Sequence, residues 1–353
     1  MHLRICSDCD PSTWDTFVGS HVHGNFLQSH AWGSLKRKMG WDTHFCILEG
    51  GSEIHGAALL LSRSIPGLGR VFHAPRGPVV DFEDPSVTRV LTSELARYVA
   101  SQAGVFVRFD PYRAESLDDG GEFSLDGTEP VPRDWSPWNA PRFVFWLSLE
   151  GTENDVMMRM ESRCRNDVRR GYRNGVDFEL GTEDDVDAFF RLMTLTGQQK
   201  GIAFHGVDYY RTLLSTLTGA ARAQLFVGRF EGEPVTVGVS VVYGDKAWLL
   251  YAASDPSSYK LRANRTQQWE MIKWAHEQGC VRYDFRGTAT NDPPRKEDPG
   301  YGVYKFKKSF GPEFTRLVGY YDLVQRPLRY RLLRVAEDYG LPAAYRLKTI
   351  LQR

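Results

Sequence analysis

The sequence lacks a net charge, a long apolar run and a secretion signal. Its 353 residues carry 44 Lys and Arg against 44 Asp and Glu. Without a global field, any contact with a polyanion has to come from a local patch. No apolar run approaches the roughly 18 residues that span a bilayer, and the N-terminus lacks the apolar segment of a signal peptide. We therefore expect a cytoplasmic protein without a membrane span, with a monomer as the default state.

Cysteines are few and do not pair up in the sequence. The five are scattered and odd in number, which argues against a disulfide framework. Cys6 and Cys9 form a C-x-x-C that is followed by His21 and His23, which raises the alternative of a zinc site. The spacing of the two histidines does not match that of finger ligands. We therefore expect no metal.

Several catalytic motifs are also missing. The chain has no G-x-x-x-x-G-K-[ST], no H-E-x-x-H and no G-x-S-x-G. Gly67-Leu68-Gly69 is too short for a dinucleotide fingerprint and is typical of a hairpin turn. The sequence thus gives no sign of a nucleotide cofactor, a catalytic zinc or a hydrolase serine, and we expect no cofactor.

What the sequence does contain is an internal repeat. Each half is predicted to run helix, two hairpin strands, a third strand, a helix and a further strand. The predicted segments are 28–36, 45–48, 56–61, 71–74, 85–103 and 105–110 in the first half, and 184–199, 207–218, 225–228, 237–242, 247–251, 265–278 and 280–284 in the second. The last strands end in Arg108-Phe109-Asp110 and Arg282-Tyr283-Asp284. Chance similarity of two helix–Gly–strand junctions is the alternative, but the shared order favours duplication.

This order predicts an α/β (α+β) fold class with mostly antiparallel mixed sheets. The acyl-CoA N-acetyltransferase (GNAT) fold has this layout, so we expect two tandem GNAT-like domains. The expected bounds are 1–147, completed by 321–353, and 148–320. The fold's Gly-rich turn for CoA phosphates is absent, since the equivalent stretches read Pro75-Arg76-Gly77-Pro78 and Arg262-Ala263-Asn264-Arg265. The scaffold therefore lacks its usual CoA site.

Five segments together resemble the FemABX family of peptidoglycan bridge-forming aminoacyltransferases. They are 28–36 with Gly40-Trp41, 74–78, 108–111, 282–287 and 302–311, and the likeness runs from about residue 25 to 330. The resemblance implies transfer of an amino acid from aminoacyl-tRNA to the side-chain amine at position three of the peptidoglycan stem peptide.

The resemblance also bears on the acceptor. Some members insert a coiled-coil arm in the second domain, but only about 25 residues separate Glu183 from Asp208 here, too few for an arm. The chain is therefore similar to the armless branch, whose studied member acts on UDP-MurNAc-pentapeptide. A lipid-linked acceptor stays open.

The resemblance suggests roles for several cationic residues. Lys36 and Arg211 match residues that bind the acceptor's phosphates, a task that suits two cations from different elements. Lys307, after Phe306, matches a lysine proposed to stabilise the oxyanion formed when an amine attacks the ester. We expect a strand here, with Lys305 on the same face and Lys308 on the other. A solvated surface charge is the alternative for each.

Other candidates lie in the first domain and on the third strand of the second. Asp110 would accept a proton from the attacking amine or bind the acceptor peptide, with a structural role as the alternative. Tyr251 matches a tyrosine that contacts the acceptor, or else packs in the core. Trp32, Trp41 and Arg76 are expected to shape the first domain's cleft, or simply to pack.

A run of arginines near the start of the second domain is a candidate tRNA contact. It includes Arg163, Arg169 and Arg170, and on a helix Met160 and Val168 would be buried. A solvated helix is the alternative. A second candidate patch is the tail, with Arg326, Arg329, Arg331, Arg334, Arg346, Lys348 and Arg353.

Three functions follow from these observations. The first is aminoacyl-tRNA-dependent transfer in cell-wall precursor assembly, within a groove between the twin folds that holds Lys307. The second is the same chemistry on a small amine during synthesis of a peptide or nucleoside antibiotic, which a departure from the armless relative at Lys38 leaves open. The third is a non-catalytic protein that binds cell-wall precursors or RNA.

Overall fold

Each half of the chain forms its own mixed sheet. The computed structural model describes residues 1–6, 9–115, 123–131, 141–200, 204–287, 294–298 and 300–336. The chain divides into a first unit, Met1–Arg142 with Leu317–Arg353, and a second unit, Phe143–Arg316. Both unit boundaries lie a few residues before the expected ones, and the returning C-terminal segment belongs to the first unit.

The first unit is an eight-stranded sheet with helices. Its strands are β1 (His2–Cys6), β2 (Asp42–Gly50), β3 (Glu53–Ile65), β4 (Gly69–Ala74), β5 (Val79–Val80), β6 (Gly104–Phe109), β7 (Glu129–Pro130) and β15 (Tyr321–Val324). Its helices are α1 (Pro11–Ser20), α2 (His30–Lys38), α3 (Pro85–Ser101) and α10 (Pro327–Val335). The strand order is β1-β2-β3-β4-β6-β15-β7, with β5 on β3, and β4–β6 is the parallel pair.

The second unit is a seven-stranded sheet. Its strands are β8 (Phe143–Ser148), β9 (Val176–Leu180), β10 (Arg222–Phe230), β11 (Glu233–Tyr243), β12 (Lys246–Ser254), β13 (Arg282–Gly287) and β14 (Glu313–Arg316). Its helices are α4 (Glu153–Met158), α5 (Ser162–Arg173), α6 (Val186–Lys200), α7 (Val207–Thr216), α8 (Ala263–Glu277) and α9 (Tyr301–Lys308). The order is β14-β8-β13-β12-β11-β10-β9, and β12–β13 is the parallel pair.

The predicted duplication is confirmed by the order of the elements in the two units. In both units the third strand of the repeat leads through one long helix to a parallel fourth strand. Ala74 lies opposite Phe109 in the first unit, and Ala247 lies opposite Tyr283 in the second. Ala74 and Phe109 end their strands, whereas Ala247 and Tyr283 lie near the start of theirs, so the two units share the order of elements and not the exact register. The tandem GNAT-like expectation is confirmed.

The long helix α3 illustrates why these residues form these elements. Asp84 caps it by accepting from the backbone N–H of Ser86 at 2.9 Å, and Pro85 follows at the first helical position, where its missing N–H has no cost. Leu91 and Leu95, one turn apart, are fully buried, which places the apolar stripe of the helix on the sheet.

The corresponding helix α8 in the second unit packs closely against α5. The Thr266 hydroxyl donates to the Val168 carbonyl at 2.9 Å. A Cβ added at Gly171 would lie 1.9 Å from that hydroxyl, so glycine permits the approach. Met160 and Val168 are buried as predicted. The basic helix α5 is thereby held with one face in the core.

Two further expectations concern long helices. Between Glu183 and Asp208 the described residues form α6 and the start of α7, which fits the expected lack of a coiled-coil arm. No helix in the described ranges combines the length and apolar character that crossing a membrane requires.

Candidate active site

The first candidate cluster lies where β4 and β6 end side by side. After the paired Ala74 and Phe109 the chain turns at Arg76, whose φ is +55°. The Asp110 backbone N–H donates to the Gly77 carbonyl at 3.0 Å. The Gln28 amide donates to the Pro75 carbonyl at 2.8 Å. A Cβ at Gly77 would lie 2.7 Å from that amide, so the turn closely fits Gln28.

A buried ion pair joins the two predicted residues Arg76 and Asp110. The Arg76 Nη1 donates to Asp110 Oδ1 at 3.1 Å, and the two side chains are 6% and 1% exposed. The other guanidinium nitrogen, Nη2, donates to the Pro141 carbonyl at 2.6 Å. Arg76 is therefore buried in a structural network and orients the carboxylate of Asp110.

The second carboxylate oxygen of Asp110 has a different environment. Oδ2 is buried and has no hydrogen-bond partner among the described residues. Burial raises the pKa of Asp110 to about 7, although the guanidinium of Arg76 opposes the shift. A carboxylate that titrates near neutral pH suits a proton acceptor, and its unpartnered oxygen is the atom that would accept the proton.

Lys36 and Trp32 stand one helical turn apart on α2. The Lys36 Nζ lies 4.5 Å from the centre of the Trp32 ring, and the Ser29 hydroxyl caps the helix by accepting from the Trp32 backbone N–H at 3.1 Å. Trp32 is 7% exposed and its ring packs against Phe26 at 5.5 Å between centroids. The tryptophan thus fixes the direction of a half-buried lysine.

His73, which was not predicted as a site residue, lies near Lys36 and Arg76. Burial lowers its pKa to about 3, and the charges of Arg108, Lys36 and Arg76 lower it further. A neutral imidazole therefore lies among three cations. Arg108 is neutralised by Asp322, 2.7 Å away, and Arg76 by Asp110.

The second candidate cluster centres on Lys307, where the expected strand is wrong. Residues Tyr301–Lys308 form helix α9. Tyr304 and Lys307 are buried, whereas Lys305 and Lys308 are exposed. The alternating lysines suggested a period of two, but the buried side chains recur every three residues, which is a helical period. Lys305 and Lys307 therefore do not share a face.

The Lys307 ammonium binds the backbone at the end of β13. Its Nζ donates to the carbonyls of Phe285 at 2.6 Å and Gly287 at 2.8 Å, with that of Arg286 at 3.4 Å. Arg286 has a φ of +59°, a conformation that L-residues rarely adopt. Lys307 is 7% exposed, so the expectation of a solvated lysine is excluded. The ammonium stabilises a strained strand end.

Tyr251 on β12 belongs to an aromatic group in the same unit. Its ring centroid lies 5.2 Å from that of Tyr210, and Tyr209 stacks on His205 at 3.9 Å. Burial raises the pKa of both Tyr209 and Tyr251, and the positive charge of Arg286 opposes the shift in each. Arg286 therefore lies near both phenols, although sequence reasoning assigned it no role.

Phe306 and Arg211 have more ordinary surroundings. Phe306 packs on Phe310 at 5.3 Å between centroids. Arg211 on α7 is 37% exposed and pairs with Asp187 at 2.7 Å. Such an exposed pair contributes little stability, so a phosphate could replace Asp187 as the partner of the guanidinium. Phosphate binding by Arg211 stays a prediction.

The predicted tRNA-contacting arginines lie on α5. Arg163, Arg169 and Arg170 are exposed, while Cys164 and Val168 on the opposite side are buried. Within the tail, Arg346, Lys348 and Arg353 lie outside the described residues. No three His, Cys, Asp or Glu side chains come together as a metal site in the described ranges.

The chain is similar to known proteins in both of its units. The sequence profile of the FemAB family matches residues 10–130, and that of an acetyltransferase (GNAT) domain matches residues 159–308. A tandem GNAT protein from the clavulanic acid biosynthesis pathway superposes with a TM-score of 0.51 at 10% identity, covering 91% of this chain and 98% of that one. These matches show a tandem GNAT fold.

Two other relatives are similar over almost the whole chain. The lipid II:glycine glycyltransferase of Staphylococcus epidermidis is 24% identical over 389 aligned positions, which cover 90% of this chain and 92% of that protein. The crystal structure of FemX superposes with a TM-score of 0.85 at 21% identity, covering 94% and 99%. The chain is therefore similar to FemABX-type proteins over almost its whole length, and these matches support an aminoacyltransferase.

Proposed function

We propose that the protein transfers an aminoacyl group from aminoacyl-tRNA to an amine of a peptidoglycan precursor, in UDP-linked or lipid-linked form. The observation that carries the proposal is the near full-length similarity to lipid II:glycine glycyltransferases. The reaction breaks the ester between the amino acid and the tRNA ribose and forms an amide with the acceptor. The ribose hydroxyl leaves with a proton.

Asp110 is the proposed proton acceptor. The attacking amine gains a positive charge as it bonds to the ester carbonyl and has to lose a proton. Asp110 Oδ2 is buried and unpartnered among the described residues, and a pKa of about 7 matches a base that works near neutral pH. Arg76 holds the other oxygen and so orients the free lone pairs.

Lys307 is the proposed stabiliser of the oxyanion. A tetrahedral intermediate carries its charge on the former carbonyl oxygen, and a fixed ammonium lowers its energy. The Lys307 side chain is held by the Phe285 and Gly287 carbonyls, which fixes the direction of its ammonium. Phe306 precedes it on α9 and packs against the core beside it.

Substrate binding is assigned to side chains in both units. Lys36, steadied by Trp32, and Arg211 would bind acceptor phosphates, and Tyr251 would contact the acceptor peptide. The exposed arginines Arg163, Arg169 and Arg170 on α5 would contact tRNA phosphates, whose charge dominates affinity for nucleic acids.

Mass spectrometry of acceptors tests the proposal directly. The protein is incubated with a pool of charged tRNAs and with UDP-linked muropeptide, lipid-linked muropeptide or a small peptide amine. We expect one muropeptide to gain the mass of one amino-acid residue, and the mass names the amino acid. Uncharged tRNA is the control. Mass gained only by the small amine, or gained from an acyl-CoA in place of charged tRNA, would contradict the proposal.

A further inference from the structure

Helix α10 is apolar on two opposite faces. Its inner face, with Leu333 8% exposed and Tyr330 at 5.3 Å from Phe106 between ring centroids, packs on the first unit's sheet. On the other side Leu328, Leu332 and Val335 are 76%, 60% and 57% exposed. Residues four and three apart share a helix face, so these three form one stripe, here called the outer stripe.

The outer stripe has basic residues along both edges. Arg331 and Arg329 lie on either side of it and are exposed. From residue 326 to the end, the sequence has seven basic residues, against two acidic ones, Glu337 and Asp338. The whole chain has no net charge, so positive charge is concentrated in this segment. Residues 337–353 lie outside the described ranges.

We propose that the outer stripe of α10 binds the surface of an anionic lipid bilayer. Amphipathic helices at membranes insert apolar side chains at the headgroup boundary and pair flanking arginines with anionic lipids. RNA phosphates would pair with the arginines but would leave the three exposed apolar side chains in water. An anionic bilayer would both pair with the arginines and bury the apolar side chains. The inner face of α10, which packs on the sheet, holds the helix in place for this contact.

This inference deepens the proposed function and rests on it for its consequence. A protein held at the bilayer by α10 meets a lipid-linked precursor where that precursor resides, whereas a UDP-linked precursor diffuses freely. The lipid-linked form is therefore the acceptor that this surface favours. Few apolar residues take part, so binding should be reversible and sensitive to salt.

Co-sedimentation of the full chain with vesicles tests the surface. We expect the protein to sediment with vesicles of phosphatidylcholine and phosphatidylglycerol, much less with phosphatidylcholine alone, and less as salt is raised. Leu328→Gln with Leu332→Gln should weaken anionic-vesicle binding roughly tenfold. Leu180→Gln, which alters a leucine 56% exposed in the second unit, is the matched control and should bind like the wild type.

Three results would overturn the inference. They are absent binding of the wild type to anionic vesicles, equal binding by the double variant, or tRNA binding that the double variant loses while vesicle binding is absent. The inference would also fail if neither protein bound vesicles and the wild type were a dimer while the double variant was a monomer. That result would assign the outer stripe to contact with a second copy of the chain.

Activity separates this inference from the proposed function. Transfer to a soluble UDP-linked acceptor should be equal in the wild type and in the double variant, since α10 carries no proposed catalytic group. Transfer to a lipid-linked acceptor in anionic vesicles should fall in the variant. If the wild type modifies neither acceptor, the proposed function fails, and the vesicle assay still decides the role of the stripe.

Discussion

At the scale of single residues, Asp110 and Asp284 show how one position diverged after duplication. Asp110 directly follows β6, Asp284 lies within β13, and both are buried. Asp284 accepts from the Trp146 indole at 3.2 Å and the Arg286 backbone N–H at 2.6 Å, so both its oxygens are bound. Asp110 keeps one oxygen unpartnered among the described residues. We infer that the first unit retained the reactive carboxylate.

The raised pKa of Asp110 predicts a pH dependence of transfer. Below about pH 7 the carboxyl group is protonated and cannot accept a proton, so kcat/KM should rise with pH through about 7 and then level off. Asp110→Asn should lower kcat/KM roughly 100-fold or more and abolish the rise. Initial rates across pH measure both effects. The control is Asp126→Asn, which changes an exposed aspartate that pairs with Arg89 at the surface.

The pH dependence of the free energy of unfolding is an independent test of the raised pKa of Asp110. The folded pKa lies above the unfolded value of about 3.9, so the folded state binds the proton more tightly. The contribution of Asp110 to the free energy of unfolding is therefore fully present below about pH 4 and is lost as pH rises to about 7. Urea unfolding across pH should show this slope reduced in Asp110→Asn. An unchanged slope and an unchanged rate profile would both contradict the assignment.

At the scale of elements, α5 combines a packed face with a basic one. Reversing two charges on the exposed face, by Arg169→Glu with Arg170→Glu, should weaken tRNA binding. The slope of log affinity against log salt should shrink by about one per arginine that contacts a phosphate. Filter binding at several salt concentrations measures this.

The matched control for α5 applies the same charge change elsewhere. Arg97→Glu with Lys260→Glu alters two exposed cations and should leave the salt slope unchanged. Equal losses in the two double variants would indicate a general charge effect and contradict a specific contact on α5.

Most of the elements could be predicted from the sequence because their patterns are local. The hairpins β2–β3 and β10–β11, and the helices α3 and α8, follow from apolar periodicity and turn residues. Helix α9 could not be predicted in this way. Its alternating lysines suggest a strand, whereas Tyr301 and Tyr304 have the spacing of three that fits a helix. The roles of His73 and Arg286 also escaped, since they depend on neighbours distant in sequence. The carbonyl partners of Lys307 come from β13, and the sequence around Lys307 does not indicate them.

At the scale of the whole molecule, two units with the same order of elements carry different buried polar side chains. The first unit holds a carboxylate with an unpartnered oxygen, and the second holds a buried ammonium bound to backbone carbonyls. The C-terminal segment returns to the first unit through β15, which pairs with β6 beside that carboxylate. The proposed proton acceptor and the proposed oxyanion-stabilising cation therefore belong to different units of the duplicated chain.

The proposed mechanism depends most on the Lys307 ammonium, which would stabilise the charge that forms during transfer. The most direct measurement is the rate of transfer of labelled amino acid from tRNA to the muropeptide by Lys307→Ala, together with its affinity for the acceptor. We expect Lys307→Ala to lose about 100- to 1,000-fold in kcat with acceptor affinity largely kept, and Lys308→Ala, on the exposed face of α9, to keep wild-type rates. Wild-type transfer by Lys307→Ala would contradict this mechanism.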